Sequence, residues 1–315
     1  MRVAVLDIGS NSTRLLLADV DAATGAIAEL ARRSTVTRLG DGVERTGELG
    51  AAPMERVLAA LTTYDQLIAG LGGADRRLAV LTSAVRDASN GAAFTERVAH
   101  EHGLEAQAIP GELEAQLSYL GATNGRVQRD ETLVVVDIGG GSTEFVVGRA
   151  GEVLFHTTTQ AGVVRHTERH IHHDPPLGAE VDALSADVRE IYAAAVPADL
   201  REQVTHMVAV AGTATSMSAI DQRLEPYDPA RVHGSRVSLA TCERLCDELA
   251  RRTDAERRAV PGLHPDRAPT IVAGAALLIE AMLAFGLTEL EVSEHDILYG
   301  VALRAAGSPS PLSGP

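Results

Sequence analysis

Two stretches of the chain repeat one another. Val3–Val20 reads VAVLDIGSNSTRLLLADV, and Leu133–Gly148 reads LVVVDIGGGSTEFVVG. With Asp7 set on Asp137, Ile8 falls on Ile138, Gly9 on Gly139, Ser12 on Ser142 and Thr13 on Thr143. Each copy starts as an apolar run, passes an aspartate and a small-residue turn, and continues as a second apolar run. That pattern predicts a β-hairpin. A hairpin spelled twice predicts two similar domains, each opening on its own copy. The GGGSTE segment resembles a dinucleotide fingerprint only superficially. Glu144 stands where the third glycine should be, and β-rich sequence follows where such a loop must open a helix. A glycine turn between antiparallel strands instead presents successive backbone N–H groups as an anion cradle.

Composition narrows the chemistry. At 315 residues the chain is long enough for two cores, and with 3% aromatics and no Trp those cores are built from Ala, Val, Leu and Ile. The net charge of −15 argues against general nucleic-acid binding but leaves room for an anion held at a local site. All 28 basic residues are arginine; there is no lysine. A Walker P-loop and a Schiff-base mechanism are both excluded, so a phosphate clamp must be arginine, backbone N–H, hydroxyl or metal. Cys242 and Cys246, four residues apart on a helical pattern, exclude a disulfide framework and cannot complete a zinc site alone. The run before Asp7 is too short for a secretory h-region, which predicts a cytoplasmic protein. The segment APTIVAGAALLIEAMLAFGL carries Glu280 and two glycines, so it is expected as a buried helix and not a membrane span.

Strands and helices alternate through the rest. RLAVLTSA and LEAQAIPG read as strands and AAFTERVAHEHG as a helix. In ELEAQLSYLGA, Leu113, Leu117 and Leu120 make one apolar stripe. HMVAVAGTATSMSAI reads as a strand, a further glycine turn and a helix. The expected division is a first domain over 1–120 and a second over 121–306, with a flexible tail over 307–315. The final helix, 296–306, is expected to return to the first domain. Two such hairpins facing each other would frame a cleft. Asp137 and Glu144 flank the second turn. Carboxylates beside phosphate oxygens repel unless a hard cation bridges them, which makes Mg²⁺ the natural partner. Glu112 and Glu114 open the helix after Pro110-Gly111, and spacing alone does not choose between them as a general base.

Seven segments together resemble the exopolyphosphatase/guanosine pentaphosphate phosphohydrolase (Ppx/GppA) family. They are DIGSNS at Asp7, TRLGDGV at Thr37, TSAVRDASN at Thr82, PGELEA at Pro110, DIGGGSTE at Asp137, AGTATS at Ala211 and VSEHDILYG at Val292. The resemblance runs to about Ala306. It implies an α/β fold of two ribonuclease-H-like domains of the actin/sugar-kinase/Hsp70 superfold, with a cleft between them. It also implies Mg²⁺-dependent attack of water on a terminal phosphoryl group. Glu114 matches the family's base and Asp137 and Glu144 its metal-side acids. Gly9, Ser10, Asn11 and Ser12, with Gly139, Gly140, Gly141, Ser142 and Thr143, match its phosphate-gripping turns. Arg86 matches the arginine of its T-S-A-x-R pattern. Arg38 and Arg165 are further clamps, and Gly212 and Thr213 join the phosphate-binding set. The implied partners are inorganic polyphosphate or guanosine penta- and tetraphosphate, with dimerisation a family expectation and neither nucleic acid nor membrane involved.

Two departures and one cluster stand out. Where many relatives read Arg-Glu-Gly in the last motif, this chain has Leu298-Tyr299-Gly300, which removes a positive charge from near the expected groove. The chain also ends where longer relatives continue into further helical domains. In RHTERHIHHDPP, His166, His170 and His173 are spaced to share one helical face. A solvated face or weak anion patch is the expected role there, with a metal site as the rival. The leading expectation is an exopolyphosphatase. Its rivals are a guanosine pentaphosphate 5′-phosphohydrolase, a non-catalytic alarmone sensor and an actin-like kinase.

Overall fold

A computed structural model of the protein describes residues 1–125, 131–308 and 312. The chain divides into two compact units, Met1–Val127 with Asp296–Pro315, and Gln128–His295.

The first unit runs β1 (Arg2–Ile8), β2 (Ser12–Val20), β3 (Ile27–Val36), α1 (Val43–Thr46), α2 (Ala51–Gly70), β4 (Arg76–Leu81), α3 (Ser83–Asp87), α4 (Gly91–His102), β5 (Glu105–Ala108) and α5 (Gly111–Thr123). The second runs β6 (Thr132–Ile138), β7 (Thr143–Arg149), β8 (Glu152–Thr159), α6 (Val163–His170), α7 (Gly178–Ala195), α8 (Ala198–Gln203), β9 (His206–Val210), α9 (Ala211–Asp221), α10 (Pro229–Val232), β10 (Arg236–Ser238), α11 (Leu239–Ala250), α12 (Asp254–Arg257), α13 (Ile271–Ala284) and β11 (Glu289–Val292). α14 (Ile297–Gly307) completes the first unit.

The sheets repeat one topology. The first has strand order β3-β2-β1-β4-β5 and the second β8-β7-β6-β9-β11-β10, so the second is the first with one antiparallel edge strand added. In each, an antiparallel three-stranded meander continues into parallel strands. This is the ribonuclease-H-like order of actin-like domains, found twice. The two hairpins match in detail. Ile8 pairs with Thr13 as Ile138 pairs with Thr143. Gly9 N–H donates to Ser12 O at 3.0 Å, and Gly139 N–H donates to Ser142 O at 2.9 Å.

Strand alternation decides what each face meets. In β1, Ala4, Leu6 and Ile8 join one core with Val57, Leu61, Tyr64 and Phe94 of α2 and α4. Val3 and Val5 join the other, with Leu113 and Leu117 of α5 and Ile297, Leu298 and Val301 of α14. A central strand covered on both faces must read as a continuous apolar run, and β1 does until Asp7. Asp7 follows Val3 and Val5, so it belongs to the face covered by α5 and α14. In β6, Val134, Val136 and Ile138 face the second unit's core, which puts Asp137 on the opposite face. α13 is apolar nearly all round, and it is buried as such a helix must be. Its Glu280 is held by Arg189 at 2.8 and 3.0 Å. Among the described residues no helix is long and apolar enough to cross a membrane.

α5 and α14 cross on glycines. A Cβ at Gly121 would fall 1.9 Å from Asp296 O, and one at Gly300 would fall 1.9 Å from Leu117 O. Neither contact can be relieved by a side-chain rotation, because both obstacles are backbone. Gly300→Ala is therefore expected to force the helices apart and cost about 1–3 kcal/mol, read as a lower urea midpoint at unchanged m-value.

Several sequence expectations are corrected. Leu120 is 41% exposed, so the α5 stripe consists of Leu113 and Leu117 alone. No separate turn follows β9: Ala211, at φ 62°, starts α9 directly. Leu298 is fully buried in the first unit's core, and the Tyr299 hydroxyl donates to Glu29 Oε2 at 2.8 Å. Both residues of the departure are thus committed to packing and hydrogen bonding within the first unit. The Pro-rich tail, apart from residues 307, 308 and 312, lies outside the described residues.

Candidate functional site

In the first unit the turn after β1 is braced from two sides. Ser10 Oγ lies 2.9 Å from Ser83 Oγ at the start of α3, and Gly40 N–H donates to Ser10 O at 2.8 Å. Thr37 and Arg38 N–H both donate to Asn11 O, at 3.0 and 2.9 Å. Arg38 adopts a left-handed conformation there, with φ 48°. Its guanidinium donates no hydrogen bond among the described residues. The N–H groups of Ser10 and Asn11 are left unbonded among the described residues. Thr13 turns inward, its hydroxyl 3.0 Å from that of Thr37.

Beside this turn lies a charge network that the sequence reading missed. Arg14 is the cross-strand partner of Asp7. Its Nε and Nη2 donate to Asp7 Oδ2 at 2.9 and 2.5 Å, while Nη1 donates to Asp296. Asp296, fully buried, also accepts from Arg32 at 3.4 Å and caps α14 through the Leu298 N–H at 3.0 Å. Asp7 is 4% exposed, and its Oδ1 has no hydrogen-bond partner among the described residues. Burial pushes the Asp7 carboxyl above its ordinary value, an effect that Arg14 only partly offsets.

The same unit separates the two candidate bases. Glu112 is exposed; Glu114, two residues on and turned to the other side of α5, is 8% exposed. Arg86 of α3 donates through Nη1 to Glu114 Oε2 at 3.0 Å and to Ile109 O at 3.1 Å. The structure thus brings two expected site residues together, with the guanidinium on the carboxylate. That hydrogen bond fixes where the carboxylate sits at the start of α5.

In the second unit the register of the hairpin is informative. Asp137 and Glu144 are direct cross-strand partners, at the position where the first hairpin pairs Asp7 with Arg14. Like charges directly opposite on a sheet repel. One copy therefore answers its acid with a guanidinium, and the other sets a second acid against it. Two hard carboxylates at a strand end form a donor set that suits Mg²⁺.

The glycine turn is positioned from behind. Val163 N–H donates to Gly139 O at 3.0 Å, Val164 N–H to Gly140 O at 2.9 Å, and Arg165 Nε to Gly141 O at 3.0 Å. The start of α6 thus takes up the turn's carbonyls. The N–H groups of Gly140 and Gly141 donate no hydrogen bond among the described residues. Unbonded N–H groups on a turn whose carbonyls are fixed make an anion cradle. Ser142 is buried in this turn. Thr143, expected among the phosphate-binding groups, instead donates inward to Ala161 O at 2.6 Å and lies 3.0 Å from the Tyr192 hydroxyl. Its fully buried side chain anchors the turn.

β9 ends next to Asp137, in register with Val210. Gly212 follows, and a Cβ there would fall 1.4 Å from Arg267 Nη1. The guanidinium of Arg267, a residue the sequence reading did not single out, thus lies directly over Gly212. Thr213 is buried against Gly274.

The model of the Ppx/GppA phosphatase family matches residues 16–308. The chain belongs to that family, a family of phosphohydrolases. More particularly, it is 39% identical over 318 residues to Exopolyphosphatase 2 of Mycobacterium tuberculosis, covering 97% of this chain and 99% of that one. A crystal structure of an exopolyphosphatase-like protein superimposes with a TM-score of 0.88 at 32% identity, covering 97% of this chain and 99% of that one. The Ppx/GppA family member of Aquifex aeolicus gives 0.79 at 31% identity, with 96% of each chain covered.

Proposed function

We propose that the protein is an exopolyphosphatase that releases terminal orthophosphate from inorganic polyphosphate by Mg²⁺-dependent hydrolysis. The observation that carries this reading is the contrast between the two hairpins. Both offer unbonded turn N–H groups, but only the second sets acid against acid. A cation site beside a phosphate cradle is what phosphoryl transfer calls for.

Each group has a role in the reading. The N–H groups of Ser10 and Asn11, and those of Gly140 and Gly141, bind phosphate oxygens. Asp137 and Glu144 would hold Mg²⁺, which when bound neutralises phosphate charge. Arg38, whose guanidinium donates no hydrogen bond among the described residues and lies near Asp41, extends the clamp, while Arg165 and Arg267 fix the turn and the start of α9. Glu114 accepts the proton of the attacking water as the water oxygen bonds to the terminal phosphorus and the bridging oxygen leaves on the shortened chain. Arg86 orients that carboxylate through its Nη1 hydrogen bond, so it is a positioning residue rather than a phosphate clamp.

The test is orthophosphate release from short polyphosphate, long polyphosphate and guanosine pentaphosphate, each with Mg²⁺ and with chelator. Release from polyphosphate that needs Mg²⁺ is the expected result. Release from guanosine pentaphosphate alone would replace the substrate, and tight binding without release would make the protein a sensor. Asp137→Asn is expected to raise the Mg²⁺ concentration for half-maximal rate by roughly ten- to a hundredfold while leaving Glu114 chemistry intact at saturating metal.

A further inference from the structure

The second unit carries a cluster outside the groups used above. His166 and His170 lie one turn apart on α6, and Asp187 comes from α7. His166 Nε2 is 3.5 Å from Asp187 Oδ2, and His170 Nε2 is 2.9 Å from the same oxygen. The three donor atoms lie within 4.8 Å of one another. Two ligands about 2.0–2.1 Å from a tetrahedral ion sit about 3.3 Å apart, so the two measured separations bracket that edge.

The decisive group is His166. It is fully buried, its Nδ1 is 3.2 Å from Gly162 O, and its Nε2 has no hydrogen-bond partner among the described residues. A ring that donates Nδ1–H to a backbone carbonyl holds Nε2 as a bare lone pair, which is how metal-binding imidazoles are oriented. That lone pair points at the carboxylate oxygen, where it would otherwise meet only repulsion. Burial favours the neutral imidazole. Burial of Asp187 is outweighed by its hydrogen bonds to His170 and Arg169, which hold it ionised. The cluster expected from the sequence is corrected here: α6 ends at His170, and His173 instead meets Glu180 at 2.8 Å. Asp187, invisible in the local spacing, takes its place.

We propose that His166, His170 and Asp187 form a binding site for one transition-metal ion of the Zn²⁺ class, separate from the Mg²⁺ site of the proposed reaction. Two imidazoles and one carboxylate suit Zn²⁺, Co²⁺ or Ni²⁺ and are a poor set for Mg²⁺, which prefers oxygen. Three protein ligands leave a position for water. The ion would join α6 to α7, and Gly162, which precedes α6, packs so tightly on the glycine turn that a Cβ would fall 2.3 Å from Gly141 C. Occupancy therefore braces that turn. Arg169 competes, because its Nη1 donates to Asp187 Oδ2 at 3.2 Å.

The test is a Co²⁺ titration of the metal-stripped full chain, followed by visible d–d absorption. The expected result is one equivalent bound, with d–d bands of low coordination number and no thiolate charge-transfer band, displaced by one equivalent of Zn²⁺ and not by excess Mg²⁺. His170→Ala and Asp187→Asn, both at partly exposed positions, should each weaken binding at least tenfold with an unchanged circular dichroism spectrum. Arg169→Gln should tighten it. The absence of stoichiometric Co²⁺ binding, or binding that survives both His170→Ala and Asp187→Asn, would overturn the proposal. Polyphosphate hydrolysis enters none of these readouts, so the proposal stands or falls apart from the proposed function.

Discussion

Glu114→Gln is expected to lower kcat for phosphate release by about 10²–10⁴-fold, or about 3–5.5 kcal/mol of barrier, with little change in KM. The substitution keeps the shape of the side chain and an oxygen that can accept from Arg86 Nη1, so packing at the start of α5 should survive. What it removes is the capacity to take a proton. Glu112→Gln is the matched control. That residue is exposed on the same first turn of the helix and should retain activity within about twofold. If the two variants lose activity equally, the buried carboxylate has no special place in the chemistry.

Arg14→Met is expected to cost about 3–5 kcal/mol of folding stability. Arg14 serves two acids, Asp7 and the fully buried Asp296. Removing it leaves Asp7 without its ion-pair partner, and leaves Asp296 with Arg32 at 3.4 Å and its helix-capping bond. Breaking one side of a buried pair is costly because the other charge stays behind, and here two charges stay. The urea midpoint reads the loss. Arg14→Lys keeps one cation but not the forked geometry, so it should recover part of the loss and not all of it. A midpoint unchanged in Arg14→Met would mean that Arg14 does not hold the network.

The repeated hairpin was legible because a strand–turn–strand is a local object. Its apolar runs, its aspartate and its small-residue turn all lie within one short stretch. Local periodicity also placed α4, α5 and α13. What failed was whatever depends on tertiary position. Leu120 continues a stripe in the sequence, yet α5 turns it away from the core. Thr143 looks like a turn hydroxyl but is taken up by Ala161 O. His173 has helical spacing from His166, but α6 ends first. Asp296 reaches Arg14 from the far end of the chain, so no local pattern could have named it. Arg14 was within reach. The hairpin alignment that matched Asp7 with Asp137 also sets Arg14 opposite Asp7 where Glu144 stands opposite Asp137, and a register count would have found the exchange.

The most direct test is a crystal structure of the Glu114→Gln protein grown with tripolyphosphate and Mg²⁺. Phosphate oxygens hydrogen-bonded to the N–H groups of Gly140 and Gly141, with a cation on Asp137 and Glu144, are predicted. Polyphosphate bound away from that turn, with no metal on the two acids, would contradict the account.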